Sequence, residues 1–160
     1  MEVIDNFLPP EDFKKISETC INTSFPLYYS NAIVDVEDDA ENYFFIHTFY
    51  KDEQKLSDYY QVLEEHLFNH LALNKLIRCK LNVYPKSNTI KNHGLHTDYN
   101  YNHKGLILSL NSCNGGTSFE DGTFVEAVQN RALFHDPSIK HSSTTHTNSQ
   151  CRFNIVVNWQ

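Results

Sequence analysis

The stretch "CRFNIVVNW", residues 151–159, alternates apolar and polar side chains and so decides which kind of fold the chain adopts. On an extended strand successive side chains leave opposite faces. Phe153, Ile155, Val157 and Trp159 therefore share one face, and Arg152, Asn154, Val156 and Asn158 the other. Working outward, "IRCKLNVY" (77–84) repeats the pattern, with Ile77, Cys79, Leu81 and Val83 set against Arg78, Lys80, Asn82 and Tyr84. Two barrels satisfy such strands. One is greasy inside and wet outside; the other holds a polar cavity and covers its apolar outer face with helices. The polar positions carry large hydrogen-bonding side chains rather than the Lys/Glu mixture of a solvated surface, so the polar cavity is the expectation.

The rest of the chain supplies both parts of that second barrel. After residue 76, short apolar segments ("GLILSLN", "TSFED", "TFVEAV", "RALFHD") alternate with Gly, Asn, Asp and Ser punctuation, the rhythm of a β-barrel or sandwich. Before it, "LPPEDFKKISETC" opens on prolines, has Glu11 and Asp12 in its first turn and spaces Phe13, Ile16 and Cys20 along one face, which predicts a helix over 10–20. "NYFFIHTFY" predicts a strand over 42–49. Leu56, Tyr59, Tyr60, Leu63, Leu67 and Leu71 recur at helical spacing and predict a second helix over 52–73. The expected organisation is one domain, 1–160, with residues 1–75 a helix-rich support and 76–160 the barrel core.

Composition removes several function classes. With 160 residues, 40% of them hydrophobic and 13% aromatic, the chain can bury one good core. No apolar run approaches the length of a membrane span, and "MEVIDNFLPP" lacks the basic end and apolar stretch of a signal peptide, so an intracellular, cytoplasmic setting is expected. Cys20, Cys79, Cys113 and Cys151 form no C-x-x-C pair and suggest neither a thiolate zinc knot nor a disulfide framework. A net charge of -7 works against a broad nucleic-acid surface.

The densest chemistry lies in "KNHGLHTDYNYNH", residues 91–103. His96 and Asp98 are two apart, so on a strand both leave the same face, roughly 6–7 Å apart along the backbone. An imidazole and a carboxylate so placed can share one metal. A third ligand from a distant strand would complete the two-histidine, one-carboxylate triad that suits non-haem Fe(II) and leaves positions open for chemistry. His135, His141 and His146 are the downstream candidates. No G-x-x-x-x-G-K phosphate loop is present.

Read together, "HTD" (96–98), "GGTSF" (115–119), "NRALFHDPSIKH" (130–141) and "CRFNIVVNW" (151–159), with "VIDNFLPPEDF" at the start, resemble the Fe(II)/2-oxoglutarate-dependent oxygenases, especially the small prolyl-4-hydroxylase-like members. The resemblance implies a double-stranded β-helix, a cupin-like jelly roll with N-terminal helices packed on its outer face. It also implies a basic residue shortly after the distal histidine, bound to the far carboxylate of 2-oxoglutarate. Arg152 follows His141 by eleven residues, His146 by six and His135 by seventeen, and the first interval fits the family. The implied metal ligands are therefore His96, Asp98 and His141, with Arg152, Tyr84 and Asn82 on the cosubstrate and Tyr99, Tyr101 and Asn154 facing substrate. A guanidinium suits the clamp because its planar fork matches a carboxylate and keeps its charge. One feature departs from the family: "GLILSLN" has no tyrosine where relatives offer a second donor to the cosubstrate tail, which leaves Thr117 or Ser118 to contribute.

The implied reaction consumes 2-oxoglutarate and O2 at Fe(II), with ascorbate a candidate stimulant, and hydroxylates a C–H bond with release of succinate and CO2. Peptidyl-proline is the first substrate expected, and a small molecule or modified nucleobase the second. Two readings from other classes use the same residues: a zinc hydrolase, which needs no dicarboxylate clamp, and an inactive metal-binding barrel serving as a binding module.

Overall fold

In chain order the computed structural model, which describes residues 1–31 and 43–160, runs β1 (Glu2–Ile4), α1 (Pro10–Cys20), β2 (Tyr28–Ser30), β3 (Phe44–Lys51), β4 (Gln54–Lys55) and α2 (Tyr60–His66). A 3-10 turn at Phe68–His70 leads to β5 (Leu76–Pro85), β6 (Lys104–Ser109), β7 (Gly116–Phe119), β8 (Phe124–Glu126), β9 (Ala132–His135), β10 (His141–Ser143) and β11 (Cys151–Trp159). The strands form two antiparallel sheets. The larger has the order β1-β9-β6-β11-β5-β3-β2, with β4 added on β3, and the smaller the order β10-β7-β8. The first 75 residues thus do more than cover the barrel, since β1 and β3 extend its main sheet. Residue 42, where the predicted strand began, lies outside the described residues.

Register explains the two faces. β11 sits between β5 and β6, so Ile155 stands opposite both Leu81 and Leu108, while its neighbour Val156 stands opposite Lys80 and Ile107. Residues directly opposite share a face. One face of the sheet therefore collects Cys79, Leu81, Leu106, Leu108, Ile155 and Val157, all fully buried against Leu8, Ile16, Leu63 and Leu67 of the helical layer. Each such side chain contributes roughly 1.5–3 kcal/mol on burial. The other face of the same strands turns Lys80, Asn82, Tyr84, Asn154 and Val156 into a cavity closed by the smaller sheet. The polar-cavity barrel is the one that forms.

α1 covers the predicted span and buries Phe13, Ile16 and Cys20 as their spacing requires. The second helix is shorter than predicted. Asp52 and Glu53 take φ of 52° and 61°, the left-handed pair of a two-residue hairpin turn, and β4 folds back so that Tyr50 meets Lys55 and Lys51 meets Gln54. Leu56 is left 53% exposed, and the helix starts only at Tyr60. "KDEQ" has good helix propensity, but continuation of the β3 ladder overrides it.

The Gly115–Gly116 pair lets the smaller sheet close. A Cβ on Gly116 would run into the carbonyl oxygen of Val125 on β8, and one on Gly115 would stand 2.7 Å from the carbonyl oxygen of Thr145. Among the described residues all four cysteines are free, and no helix is long and apolar enough to cross a membrane.

Candidate functional site

The "HGLHTD" segment lies alongside β10. Two isolated antiparallel bridges, Asn92 to Thr144 and His96 to His141, hold it there, and the backbones of His96 and His141 exchange both N–H···O bonds at 2.9 Å. Directly opposed residues put their side chains on one face. The two rings accordingly meet with centroids 4.7 Å apart at 46°. Asp98 is fixed by its own N–H, which donates to Pro137 at 3.0 Å. One donor atom from each of His96, Asp98 and His141 lies within 4.8 Å of the other two.

The surroundings orient all three donors. Nδ1 of His96 lies 3.2 Å from the carbonyl of Gly94, and Nδ1 of His141 lies 2.9 Å from that of Ile139. A carbonyl only accepts, so each Nδ1 carries the proton and each Nε2 keeps its lone pair, the tautomer a metal needs. Oδ1 of Asp98 forms an ion pair with Nη2 of Arg78, and its Oδ2 accepts a hydrogen bond from Nδ2 of Asn158, both at 2.9 Å. Burial alone would raise its pKa; the Arg78 charge and the Asn158 hydrogen bond outweigh burial and hold it well below the usual carboxylate range. Burial, and then the neighbouring His141, push His96 downward and favour its neutral form. Two imidazoles and one ionised carboxylate make a donor set for a divalent cation.

A hydrogen-bonded layer stands behind Asp98. Asn158 accepts from Nε of Arg78 at 3.1 Å, and its Nδ2 lies 3.3 Å from Nε2 of His103. His103 in turn directs Nδ1 to the carbonyl of Tyr101 at 2.8 Å. Tyr99 lies 5.2 Å from the Arg78 guanidinium and stacks on Tyr101 at 5.3 Å.

The donors open into the cavity between the sheets, a space of about 50 Å³ lined also by Phe44, Lys80, Asn82, Tyr84, Ile107, Thr117, Ser143, Asn154 and Val156. Asn82 donates to Asn154 at 3.3 Å, and its own Oδ1 is buried without a partner. Arg152 is 1% exposed and stands behind Tyr84, with its guanidinium 4.1 Å from that ring. Its Nη2 donates to the carbonyl of Thr144 at 2.9 Å, while its Nε finds no acceptor among the described residues. Burial lowers its pKa, and Tyr84 opposes that shift. Lys80 is pushed down to about 8, by burial first and then by Arg78, with Asp98 acting against both.

Of the three histidines considered as the third donor, only His141 joins His96 and Asp98. His135 is buried with its ring 5.0 Å from that of His141, and burial takes it down to about 4. His146 is fully buried outside the cavity lining. Thr117 faces the cavity, whereas Ser118 points away and donates to Asn92 at 3.0 Å. Tyr84, Asn82 and Asn154 line the cavity; Tyr99 and Tyr101 do not, and brace the Arg78 side instead. Arg78, Lys80, Asn158 and His103 were not singled out from sequence. The alternation of "IRCKLNVY" and "CRFNIVVNW" already put the first three on the cavity face; the pairing of Arg78 with Asn158 needed the register of β5 on β11.

No family model and no curated protein matches the sequence. Solved structures do match its fold. An oxidoreductase of the 2OG-Fe(II) oxygenase family from Burkholderia pseudomallei superposes with TM-score 0.73 at 12% identity, over 98% of this chain and 83% of that one. A prolyl-4-hydroxylase from Pseudomonas putida gives 0.67 at 15% identity, over 99% and 91%. A Trichoplax adhaerens prolyl hydroxylase, in complex with a peptide fragment of the hypoxia inducible factor oxygen degradation domain, gives 0.71 at 14%, over 99% and 82%. The chain has the double-stranded β-helix fold of these oxygenases along nearly its whole length.

Proposed function

We propose that the protein is an Fe(II)- and 2-oxoglutarate-dependent dioxygenase that hydroxylates a C–H bond, with a prolyl ring, first of all in a peptide, as its leading substrate. The observation that carries this reading is the convergence of His96, Asp98 and His141 on a cavity backed by a buried guanidinium. The donor set fits Fe(II): both Nε2 lone pairs are free, and three protein donors leave positions open. When bound there, Fe(II) with 2-oxoglutarate and O2 supplies the chemistry in which R–H becomes R–OH as 2-oxoglutarate becomes succinate and CO2.

The chain's own residues position and shield. Arg78 and Asn158 keep Asp98 ionised and aimed. Arg152, with an N–H unfilled, binds the distal carboxylate, and the Tyr84 ring holds the guanidinium in place. Thr117 and Ser143 supply hydroxyls where prolyl hydroxylases offer a second tyrosine. Phe44, Ile107 and Val156 exclude water from the wall of the cavity. A prolyl substrate is supported by two of the matching folds, one of them described with a bound peptide.

The test is an anaerobic titration with Fe(II) and then 2-oxoglutarate, reading the visible charge-transfer band of the chelate, with ascorbate included in later turnover assays. The band is expected in the wild type and lost in His141→Ala. Tight zinc binding with no band would overturn the oxygenase reading.

A further inference from the structure

Among the described residues that line the cavity, Lys80 is the only lysine or arginine and Asp98 the only carboxylate. Asp98 is already engaged on both oxygens, by Arg78 and Asn158. Lys80 makes neither an ion pair nor a hydrogen bond with any described residue; its ammonium lies 5.7 Å from the Phe44 ring. Its position on β5 explains this isolation. Across β11 it faces Val156, and beyond that Ile107, and on its other side Thr48 of β3, so none of its neighbours across the sheet carries a charge. Asp98 lies on the same wall, but with no ion pair or hydrogen bond of its own the half-buried ammonium keeps its donors for an anion that enters the cavity.

The cosubstrate reading does not use this charge. Arg152 pairs across from Tyr84, four residues along β5 from Lys80, which separates the two backbone positions by roughly 13 Å. The cavity therefore has two cationic poles, one backed by Arg152 and one formed by Lys80. A cosubstrate tail held at the first leaves the second open.

We propose that Lys80 binds a carboxylate of the substrate beside the metal donors, so that the substrate carries a free carboxylate. The inference rests on the oxygenase reading and, within it, departs from the peptide named above: a free amino acid such as proline qualifies, whereas a proline inside a peptide has its carboxyl tied up as an amide. Lys80 is then the residue that sets specificity.

The experiment uses full-length protein loaded anaerobically with Mn(II) and saturating 2-oxoglutarate, with acetate as the probe. Relaxation of the acetate methyl protons by Mn(II) reports a carboxylate held near the metal. Mn(II) occupancy is read separately by electron paramagnetic resonance, and 2-oxoglutarate affinity by calorimetry. Saturable relaxation is expected in the wild type, retained in Lys80→Arg and weakened about tenfold in Lys80→Met, with 2-oxoglutarate affinity changed less than about threefold in either variant. Wild-type protein that holds Mn(II) and 2-oxoglutarate yet shows no saturable acetate relaxation overturns the proposal, as does a Lys80→Met variant that keeps it. A Lys80→Met variant that loses 2-oxoglutarate assigns the lysine to the cosubstrate and equally overturns it. Failure of the wild type to bind Mn(II) or 2-oxoglutarate is a different result, because it removes the oxygenase reading itself.

Discussion

Asn158 donates its Nδ2 to Oδ2 of Asp98 at 2.9 Å while its Oδ1 accepts from Nε of Arg78 at 3.1 Å, so one amide locks both the carboxylate and the guanidinium that pairs with it. Partners behind a metal ligand typically govern 10- to 100-fold of metal affinity. Asn158→Leu removes the donor to Asp98 and the acceptor of Arg78 while keeping the side-chain volume close. Co(II) affinity, followed by absorption titration, is expected to fall by about that factor without loss of the fold. An unchanged affinity would show that Arg78 alone is enough to orient Asp98.

Arg152 and Tyr84 make the second testable pair. Arg152→Lys keeps a positive charge but loses the planar fork and its stacking on the Tyr84 ring, 4.1 Å away. The dissociation constant for 2-oxoglutarate should rise by at least about tenfold, equivalent to about 1.4 kcal/mol, while metal binding stays within error. A titration of the metal-loaded variant that leaves 2-oxoglutarate affinity intact would move the distal carboxylate site elsewhere.

How much of this was legible in the sequence depends on whether the signal was local. The alternation in "IRCKLNVY" and "CRFNIVVNW" marked which residues face the cavity, because side-chain direction on a strand follows from position alone. The spacing of Phe13, Ile16 and Cys20 likewise marked the buried side of α1. Non-local facts were hidden. The pairing of Arg78 with Asn158 spans 80 positions and depends on strand register, and the bridge from His96 to His141 depends on how β10 docks. His103 looked like an ordinary loop histidine, since nothing near it in sequence announces that Asn158 will reach it.

His47 carries a pH prediction. It is 4% exposed, with Nδ1 2.8 Å from the carbonyl of Pro26, Nε2 2.7 Å from the Ser57 hydroxyl, and the rings of Phe25, Tyr28, Phe49 and Tyr59 around it. Burial lowers its pKa, and the Pro26 carbonyl only partly opposes that shift. The unfolded chain therefore takes up a proton at this residue before the folded chain does, so the stability that neutral His47 provides is full above the ordinary histidine range and declines as pH falls through it. His47→Phe should lower stability at pH 8 by about 1–3 kcal/mol, because Pro26 and Ser57 lose their partner. Its urea midpoint should nevertheless fall less steeply between pH 8 and 5 than that of the wild type. Parallel curves would mean that His47 does not titrate differently in the two states.

Gly116 tests how tightly the smaller sheet closes. Its N–H donates to Oγ1 of Thr144 at 2.9 Å, and an added Cβ meets the Val125 carbonyl, which belongs to the backbone of β8 and cannot rotate away. Gly116→Ala should cost about 1–3 kcal/mol, the usual range for forced overpacking. The loss should appear as a lower urea midpoint and, because Thr144 lies three residues beyond His141, as weaker metal binding. A variant as stable as the wild type would mean that β8 shifts freely and does not hold β7 and β10 in place.

The hairpin that displaced the first turns of the predicted second helix can be tested in the direction of gain. Asp52 and Glu53 both hold φ above 50°, a region that ordinary side chains enter at a steric cost and that Asn and Gly enter readily. Asp52→Asn with Glu53→Gly should relieve that cost and raise the melting temperature by about 3–6 °C. Two effects oppose it. Glu53 gives up its 2.6 Å ion pair with Lys75, which is solvent-exposed and so contributes little. Glycine also gives the unfolded chain more freedom to lose on folding. The turn strain is the larger effect, carried mainly by Glu53 because Asp enters the left-handed region more readily than Glu, and the net change should be positive. Differential scanning calorimetry decides the matter: a lower melting temperature would mean that the ion pair or the unfolded-chain entropy outweighs the backbone strain, and that the β3–β4 ladder tolerates left-handed acidic residues at almost no cost.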